Sequence, residues 1–191
     1  MWRDFYAQIL NAAPEVLGSA LKPQYNNIKW EGSHAHFVKW CKGETGFPIV
    51  DAAMHELNET GYMHNRGRLI VASFLIKTLL VDWQKGEKYF ATRLVDYDPA
   101  SNNGNWQWVA STGADSQPYF RIFNPCLQSK EHDPEATYIK HWVPELADVP
   151  AKCIHTWNEC VDEFKGIAYP KPIVDYKEQR EKALKMYKAV V

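Results

Sequence analysis

Three groups of residues in this chain have the types and spacing to do chemistry. Asn102 and Trp106 stand four apart in Ser101-Asn102-Asn103-Gly104-Asn105-Trp106-Gln107-Trp108. On a helix they share a face, so an amide and an indole address the same object, while Trp108 faces elsewhere. Asn and paired Trp make a poor core but a good wall for a flat, hydrogen-bonding ring system. Asn65, Arg68 and Ala72 also share a helix face, with Arg66 pointing away. Arginines at the mouth of an apolar helix can pair anions while the dry segment beneath excludes water; a solvated first turn accounts for the same residues. Asp96 and Asp98 flank Tyr97. In an extended stretch the two carboxylates lie on one side and can accept hydrogen bonds from a polar ligand or from Arg68, or Asp98 simply caps the helix begun by Pro99.

Other motifs fall away. His55-Glu56-Leu57-Asn58-Glu59 has Glu59 where a zinc-binding helix needs its second His. Cys153, His155 and Cys160 lack a fourth ligand at a familiar spacing, so no metal site is expected. Gly43-Glu44-Thr45-Gly46 lacks the Lys-Ser/Thr ending of a phosphate loop, and no Ser sits in a nucleophile elbow. Hydrolase chemistry has no support.

The chain that must position these groups has 191 residues, with 22 Lys plus Arg against 23 Asp plus Glu and a net charge of −1. A wholesale basic coat is excluded, so any nucleic-acid contact comes from a local patch. A hydrophobic fraction of 46% with 24% charged residues excludes disorder. No apolar run approaches the ~20 residues of a membrane span. Met1-Trp2-Arg3-Asp4 is charged at once, which predicts no secretory leader, and four Cys in a chain this long predict reduced thiols in a cytosol-like compartment, cytoplasmic or nuclear. Eight Trp, ten Tyr and eight Phe are the unusual feature. A helical chain so rich in indoles either stacks something flat or moves electrons.

Periodicity predicts an all-α chain in one domain over residues 1–191. Helices are expected over Trp2–Leu10, from a Ser33 cap through Trp40 to a stop at Gly43, over Pro48–Leu57 with a stop near Gly61, and over His64–Val81, apolar on nearly every face and therefore central. Further helices are expected from Glu87 to Val95, after Asp98-Pro99, after Asp133-Pro134 and over Val174–Val191, with Lys22–Ser33 a loop. Gly67 in a first helical turn costs about 1 kcal/mol against Ala, and nothing in the sequence accounts for it.

The motifs then form an ordered set: Trp2-Arg3-Asp4-Phe5-Tyr6, Thr45-Gly46-Phe47-Pro48-Ile49-Val50-Asp51-Ala52, Thr60-Gly61-Tyr62-Met63-His64-Asn65-Arg66, Val71-Ala72-Ser73-Phe74-Leu75, Asn102 to Trp108, Ser111-Thr112-Gly113-Ala114-Asp115, and Pro118-Tyr119-Phe120-Arg121-Ile122-Phe123-Asn124-Pro125. Over nearly its whole length the chain resembles the C-terminal helical FAD-binding domain of the photolyase/cryptochrome family, most of all the class I cyclobutane pyrimidine dimer photolyases. The resemblance implies light-driven repair of dimers in UV-damaged DNA by electron donation from reduced FAD. It implies that Asn65, Arg68, Asp96, Tyr97 and Asp98 hold the flavin, and that Asn102 sits at the flavin N5 and favours its reduced states. Trp106, Trp83 and Trp30 would relay electrons from the surface. Trp2, Arg3, Arg66, Gly67, Trp108 and Gln128 would contact the lesion or flanking backbone. His64-Asn65, with Asn where the (6-4) enzymes carry a second His, and Asn102, where plant and insect cryptochromes carry Asp or Cys, imply dimer repair rather than signalling.

The same resemblance predicts a partial protein. Relative to the family, the N-terminal α/β antenna domain is absent, with the Tyr and Thr/Ser-rich loop that grip the FAD phosphates and the acidic residue ahead of Trp2-Arg3. A missing N-terminal half is therefore an expected partner. Two other readings follow: a non-enzymatic remnant with weak flavin or DNA binding, and a cryptochrome-like blue-light sensor.

Overall fold

A computed structural model describes residues 1–191, all helices and connections without strands. The helices are α1 (Trp2–Ala12), α2 (His34–Lys42), α3 (Pro48–Thr60), α4 (Asn65–Lys77), α5 (Trp83–Arg93), α6 (Pro99–Ala110), α7 (Pro125–His132), α8 (Thr137–Trp142), α9 (Ala151–His155), α10 (Trp157–Cys160) and α11 (Tyr176–Lys188). The expected all-α class holds. The spine is α4, whose residues Ile70 to Lys77 are all buried, and which packs on α3, α5, α6, α7 and α11. A helix apolar on every face must be surrounded in this way.

Local chemistry sets most boundaries as expected. Ser33 Oγ accepts from the His36 N–H at 3.1 Å to start α2, and Gly43 and Gly61 end α2 and α3 at φ +70°. Asp98 caps α6 by accepting from the Ser101 N–H at 2.7 Å, with Pro99 in the first turn.

Four expectations are corrected. Helix α5 begins at Trp83, because Asp82 caps it by accepting from the Gln84 N–H at 3.0 Å, and it stops at Arg93. Helix α4 stops at Lys77, since Leu80 takes φ +56° and turns the chain away. Asp133-Pro134 opens no helix directly. Asp133 lies just past α7, and its carboxylate reaches forward to the Tyr138 and Ile139 N–H groups at 3.1 and 2.9 Å, capping α8 from outside its first turn. Finally, Cys153 and Cys160, expected as separate reduced thiols, are paired sulfur to sulfur as a disulfide would place them, with Cα atoms 5.5 Å apart; Cys41 and Cys126 are unpaired. Their short connection folds back between α9 and α10, which brings two residues seven apart face to face.

Lys77 is the odd member of the spine. It is fully buried; its ammonium donates to Ser111 Oγ and to the Arg121 carbonyl at 3.1 Å each and lies 5.7 Å from the Tyr187 ring centroid. It takes part in none of the chain's ion pairs. Burial, helped by the Arg121 charge, pushes its pKa down from 10.5 to about 7. Between those values the unfolded chain binds a proton that the folded chain does not, so stability rises with pH by up to about 1.4 kcal/mol per unit. Below the folded value both states are protonated and this slope vanishes. Urea unfolding at pH 7 and pH 8.5 should therefore show a rise that Lys77→Met removes; an equal rise in the variant would mean that Lys77 stays charged when buried.

Candidate cofactor-binding cleft

A cleft of about 300 Å³ opens between the N-terminal half of α4, the end of α5, the 94–98 connection and α6. Its polar lining includes Asn65, Arg68, Asp96, Asp98, Ser101, Asn102 and Asn105, with Tyr97 at the rim; its apolar lining includes Leu69, Ala72, Leu94, Trp106 and Val109. The structure thus brings Asn65, Arg68, Asp96, Tyr97, Asp98, Asn102 and Trp106 to one cavity.

Arg68 is held from two sides. Its Nε donates to the Met63 carbonyl at 2.7 Å and its guanidinium to Asp96 Oδ2 at 2.8 Å, while the Tyr62 ring lies 5.5 Å beneath it. Arg68 and Asp96 remain 27% and 46% exposed. A pair so open to water adds at most about 1 kcal/mol to folding, so its consequence is positional. It holds a carboxylate and a guanidinium at the cleft edge with spare donors and acceptors. Asp98 does two jobs. It caps α6 and lines the cleft, and the bonds from Ser101, with a smaller contribution from the Arg3 charge, hold its carboxyl below the usual carboxylate range.

At the inner end, Asn102 Nδ2 donates to Glu87 Oε1 at 2.9 Å and to the Glu87 carbonyl at 3.1 Å. With both donations made to α5, the side-chain oxygen is the atom left for the cleft. Glu87 is buried, and desolvation raises its pKa against the lowering effect of the Asn102 bond. Sequence reasoning missed Glu87. Its signal was the buried face Trp83, Gly86, Glu87, Phe90 of α5, an apolar i, i+3, i+4, i+7 stripe carrying one carboxylate.

Trp106, 3% exposed, forms the cleft's apolar back wall. Its ring meets Phe90 edge-on at 5.0 Å and Trp40 at 6.3 Å, and Trp40 is itself fixed by donating to the Val71 carbonyl at 3.0 Å. A Cβ on Gly86 would run into the Trp106 ring. Trp83 lies one turn before Gly86 on the same buried face. Trp30 is half-buried and meets Tyr187 edge-on at 6.3 Å.

The remaining sequence-predicted residues lie outside the cleft lining. Trp2 and Arg3 are exposed on α1, with Trp2 against Phe5 and Tyr6. Arg66 and Trp108 are half-buried, and so is Gln128, whose Oε1 is enclosed without a partner. Gly67 now has a reason: a Cβ there would lie 3.0 Å from Met63 Cγ, so glycine spares a tight contact under the first turn of α4. Asn103 and Gln107, on a third face of α6, serve structure, donating to the Val16 carbonyl at 2.9 and 3.1 Å and pinning the segment after α1.

The cleft suits a flat ring system with an apolar face and a polar edge. Residues 1–189 match the family described as the FAD binding domain of DNA photolyase, and the chain belongs to that family. Among curated relatives, a deoxyribodipyrimidine photo-lyase of Halobacterium salinarum is 50% identical over 189 residues, covering 97% of this chain and 39% of that protein. One of Escherichia coli is 47% identical over 191 residues, covering 99% and 40%. Among solved structures, a class III photolyase of Agrobacterium tumefaciens superposes with a TM-score of 0.94 at 48% identity, covering 99% of this chain and 41% of that one. An archaeal photolyase of Sulfolobus tokodaii, solved with two FAD molecules, gives 0.92 at 49% identity, covering 99% and 43%. A Synechocystis cryptochrome gives 0.89 at 40% identity, covering 97% and 40%. The chain spans about 40% of the length of the curated relatives it matches. FAD is the cofactor of this domain family. No helix is long and apolar enough to cross a membrane.

If Glu87 aims Asn102, its acceptor oxygen matters more than its charge. Glu87→Ala should lower stability by about 1–3 kcal/mol, the cost of orphaning a buried amide, and Glu87→Gln, which keeps an acceptor, by clearly less. Equal losses in urea unfolding would remove the Glu87–Asn102 bond from the account.

Proposed function

We propose that this chain is the flavin-holding and electron-relaying part of a deoxyribodipyrimidine photo-lyase, which repairs cyclobutane pyrimidine dimers in UV-damaged DNA under light. One observation carries the reading: two carboxylates, a clamped arginine, an aimed amide and a buried indole converge on a single cleft. Held there in its reduced form, FAD would supply the electron for light-driven opening of the cyclobutane ring.

The chain's own residues bind, orient and connect. Arg68, braced by Met63 and Asp96, and Asp96 itself would meet the polar edge of the flavin, with Asn65, Tyr97 and Asp98 lining the same cleft. Asn102 presents its side-chain oxygen, an acceptor suited to an N–H on the ring, because Glu87 takes both of its donor bonds. The protein's part in flavin chemistry is orientation and tuning of this kind. Trp106 at the cleft wall, Trp83 on the buried face of α5 and half-buried Trp30 form the path by which electrons enter from the surface.

A base in a duplex must be extruded before chemistry reaches it, and aromatic side chains receive it by stacking. Trp2 and Trp108 take that role, with Arg3, Arg66, Gly67 and Gln128 against lesion or backbone. With a net charge of −1, DNA contact rests on such individual residues rather than on a basic coat. With DNA as partner, the site of action is the cytoplasm or nucleus, and further chain of the photo-lyase completes the flavin site.

Two substitutions test the division of labour on FAD-loaded protein. Trp106→Phe should stop light-driven reduction by an external donor while leaving dimer splitting by dithionite-reduced protein unchanged; loss of folding instead would return Trp106 to a packing role. Asn102→Ala should keep FAD bound yet impair its reduced state, and unaltered photoreduction and repair would remove Asn102 from the mechanism.

A further inference from the structure

Away from the cleft, Cys153 and Cys160 stand at a surface corner built from three very short elements, α9, α10 and the single 3-10 turn Val161–Glu163. Elements of this length have almost no stability of their own. What holds the corner lies between the two cysteines. His155 is buried; its Nε2–H donates to the Pro134 carbonyl at 2.9 Å, which leaves Nδ1 to accept from the Ser129 hydroxyl at 2.6 Å. Trp157 is buried; its indole N–H donates to the Pro170 carbonyl at 2.9 Å, and its ring meets Tyr169 at 5.5 Å. Tyr169 in turn donates to Asp51, which also accepts from the Thr45 and Gly46 N–H groups ahead of α3. The cysteine pair therefore brackets the anchors that tie the corner to α7 and to the 169–173 segment over α3.

We propose that Cys153 and Cys160 form a thiol–disulfide exchange site, oxidised by small-molecule disulfides, that clamps this corner. Both sulfurs belong to half-buried, reachable residues, and the Cα separation of 5.5 Å lies within disulfide range. The other two cysteines are poorly suited: burial pushes the Cys41 thiol up to about 11 and also raises Cys126, so neither offers much thiolate. In the exchange, one cysteine thiolate attacks glutathione disulfide and releases one glutathione thiolate. The second cysteine thiolate then displaces the other from the mixed disulfide. Two cysteine thiols are oxidised, one glutathione disulfide is reduced to two glutathiones, and the two cysteine protons pass to the released thiolates. Closing a loop this short removes open states of the corner. Neither cysteine, nor any residue of α9 or α10, lines the cofactor cleft, so the clamp acts on the corner alone.

The test equilibrates the chain with glutathione and glutathione disulfide mixtures and reads two quantities. Intact mass with thiol alkylation should show a loss of two hydrogens mapped to Cys153 and Cys160, with Cys41 and Cys126 alkylated throughout. Hydrogen exchange over residues 151–172 should be at least roughly tenfold slower in the oxidised form, an order of magnitude set by loop closure. Cys153→Ser and Cys160→Ser should abolish both effects and leave exchange elsewhere unchanged. Four alkylatable thiols in every mixture would overturn the proposal. So would a bridge involving Cys41 or Cys126, or a Cys153–Cys160 bridge that leaves exchange at 151–172 unaltered. Glu163 brings a carboxylate within 4.8 Å of both sulfurs. Capture of zinc alone by a pair that stays reduced in glutathione disulfide would also overturn it, making the cluster a metal site.

Discussion

The close approach of α5 to α6 is the constraint on which the cleft depends. Trp106 lies against Gly86, where any side chain would collide with its ring. That contact brings the buried faces of both helices together, and Glu87, the next residue, comes within hydrogen-bond reach of Asn102. Trp83, one turn earlier, shares that face by helical spacing. One glycine thus ties together the apolar wall, the amide held by Glu87 and a second buried indole. The mid-helix glycine costs about 1 kcal/mol in propensity, a small penalty beside the burial of a whole indole.

The polar groups of α6 divide by face, and this division explains how a helix with so many amides can be buried. Asn103 and Gln107 spend their hydrogen bonds on the segment after α1, including the Leu21 N–H at 2.9 Å. Asn102 spends its donors on α5 and keeps an acceptor for the cleft. Trp108 lies on neither face. Buried amides are tolerable only when satisfied, and the Asn102 oxygen differs from those of buried Asn103 and Gln107, which accept from Gln107 Nε2 and the Leu21 N–H. Across the cleft the economy is different. Arg68 and Asp96 sit in partial contact with water, where their pairing adds little stability and instead sets geometry.

Much of this was legible in the chain itself, for physical reasons specific to each element. The central position of α4 follows from its unbroken apolar run, and the caps at Ser33 and Asp98 and the stops at Gly43 and Gly61 follow from the special chemistry of those residues. The pairing of Arg68 with Asp96 was one of two open alternatives, and Asp98 turned out to be both cap and lining. What sequence could not supply was partnership between distant segments. Glu87 reads as an ordinary surface carboxylate until α5 meets α6. Gly67 reads as a defect until Met63 is found beneath it. Asp133 reads as a cap with the wrong reach, because the turn that carries it forward to Tyr138 and Ile139 depends on Ala136 at φ +54°. The pairing of Cys153 with Cys160 likewise depends on a turn too short to show any periodicity.

The central claim is that the residues converging on this cleft hold a flavin. Its most direct test is the visible absorption spectrum of the purified chain after incubation with FAD and desalting, beside Asp96→Ala. The account predicts a retained flavin band with resolved vibronic structure, as expected for a ring in a dry and ordered site, and a weakened or lost band in the variant. A band equally retained by both proteins would contradict it.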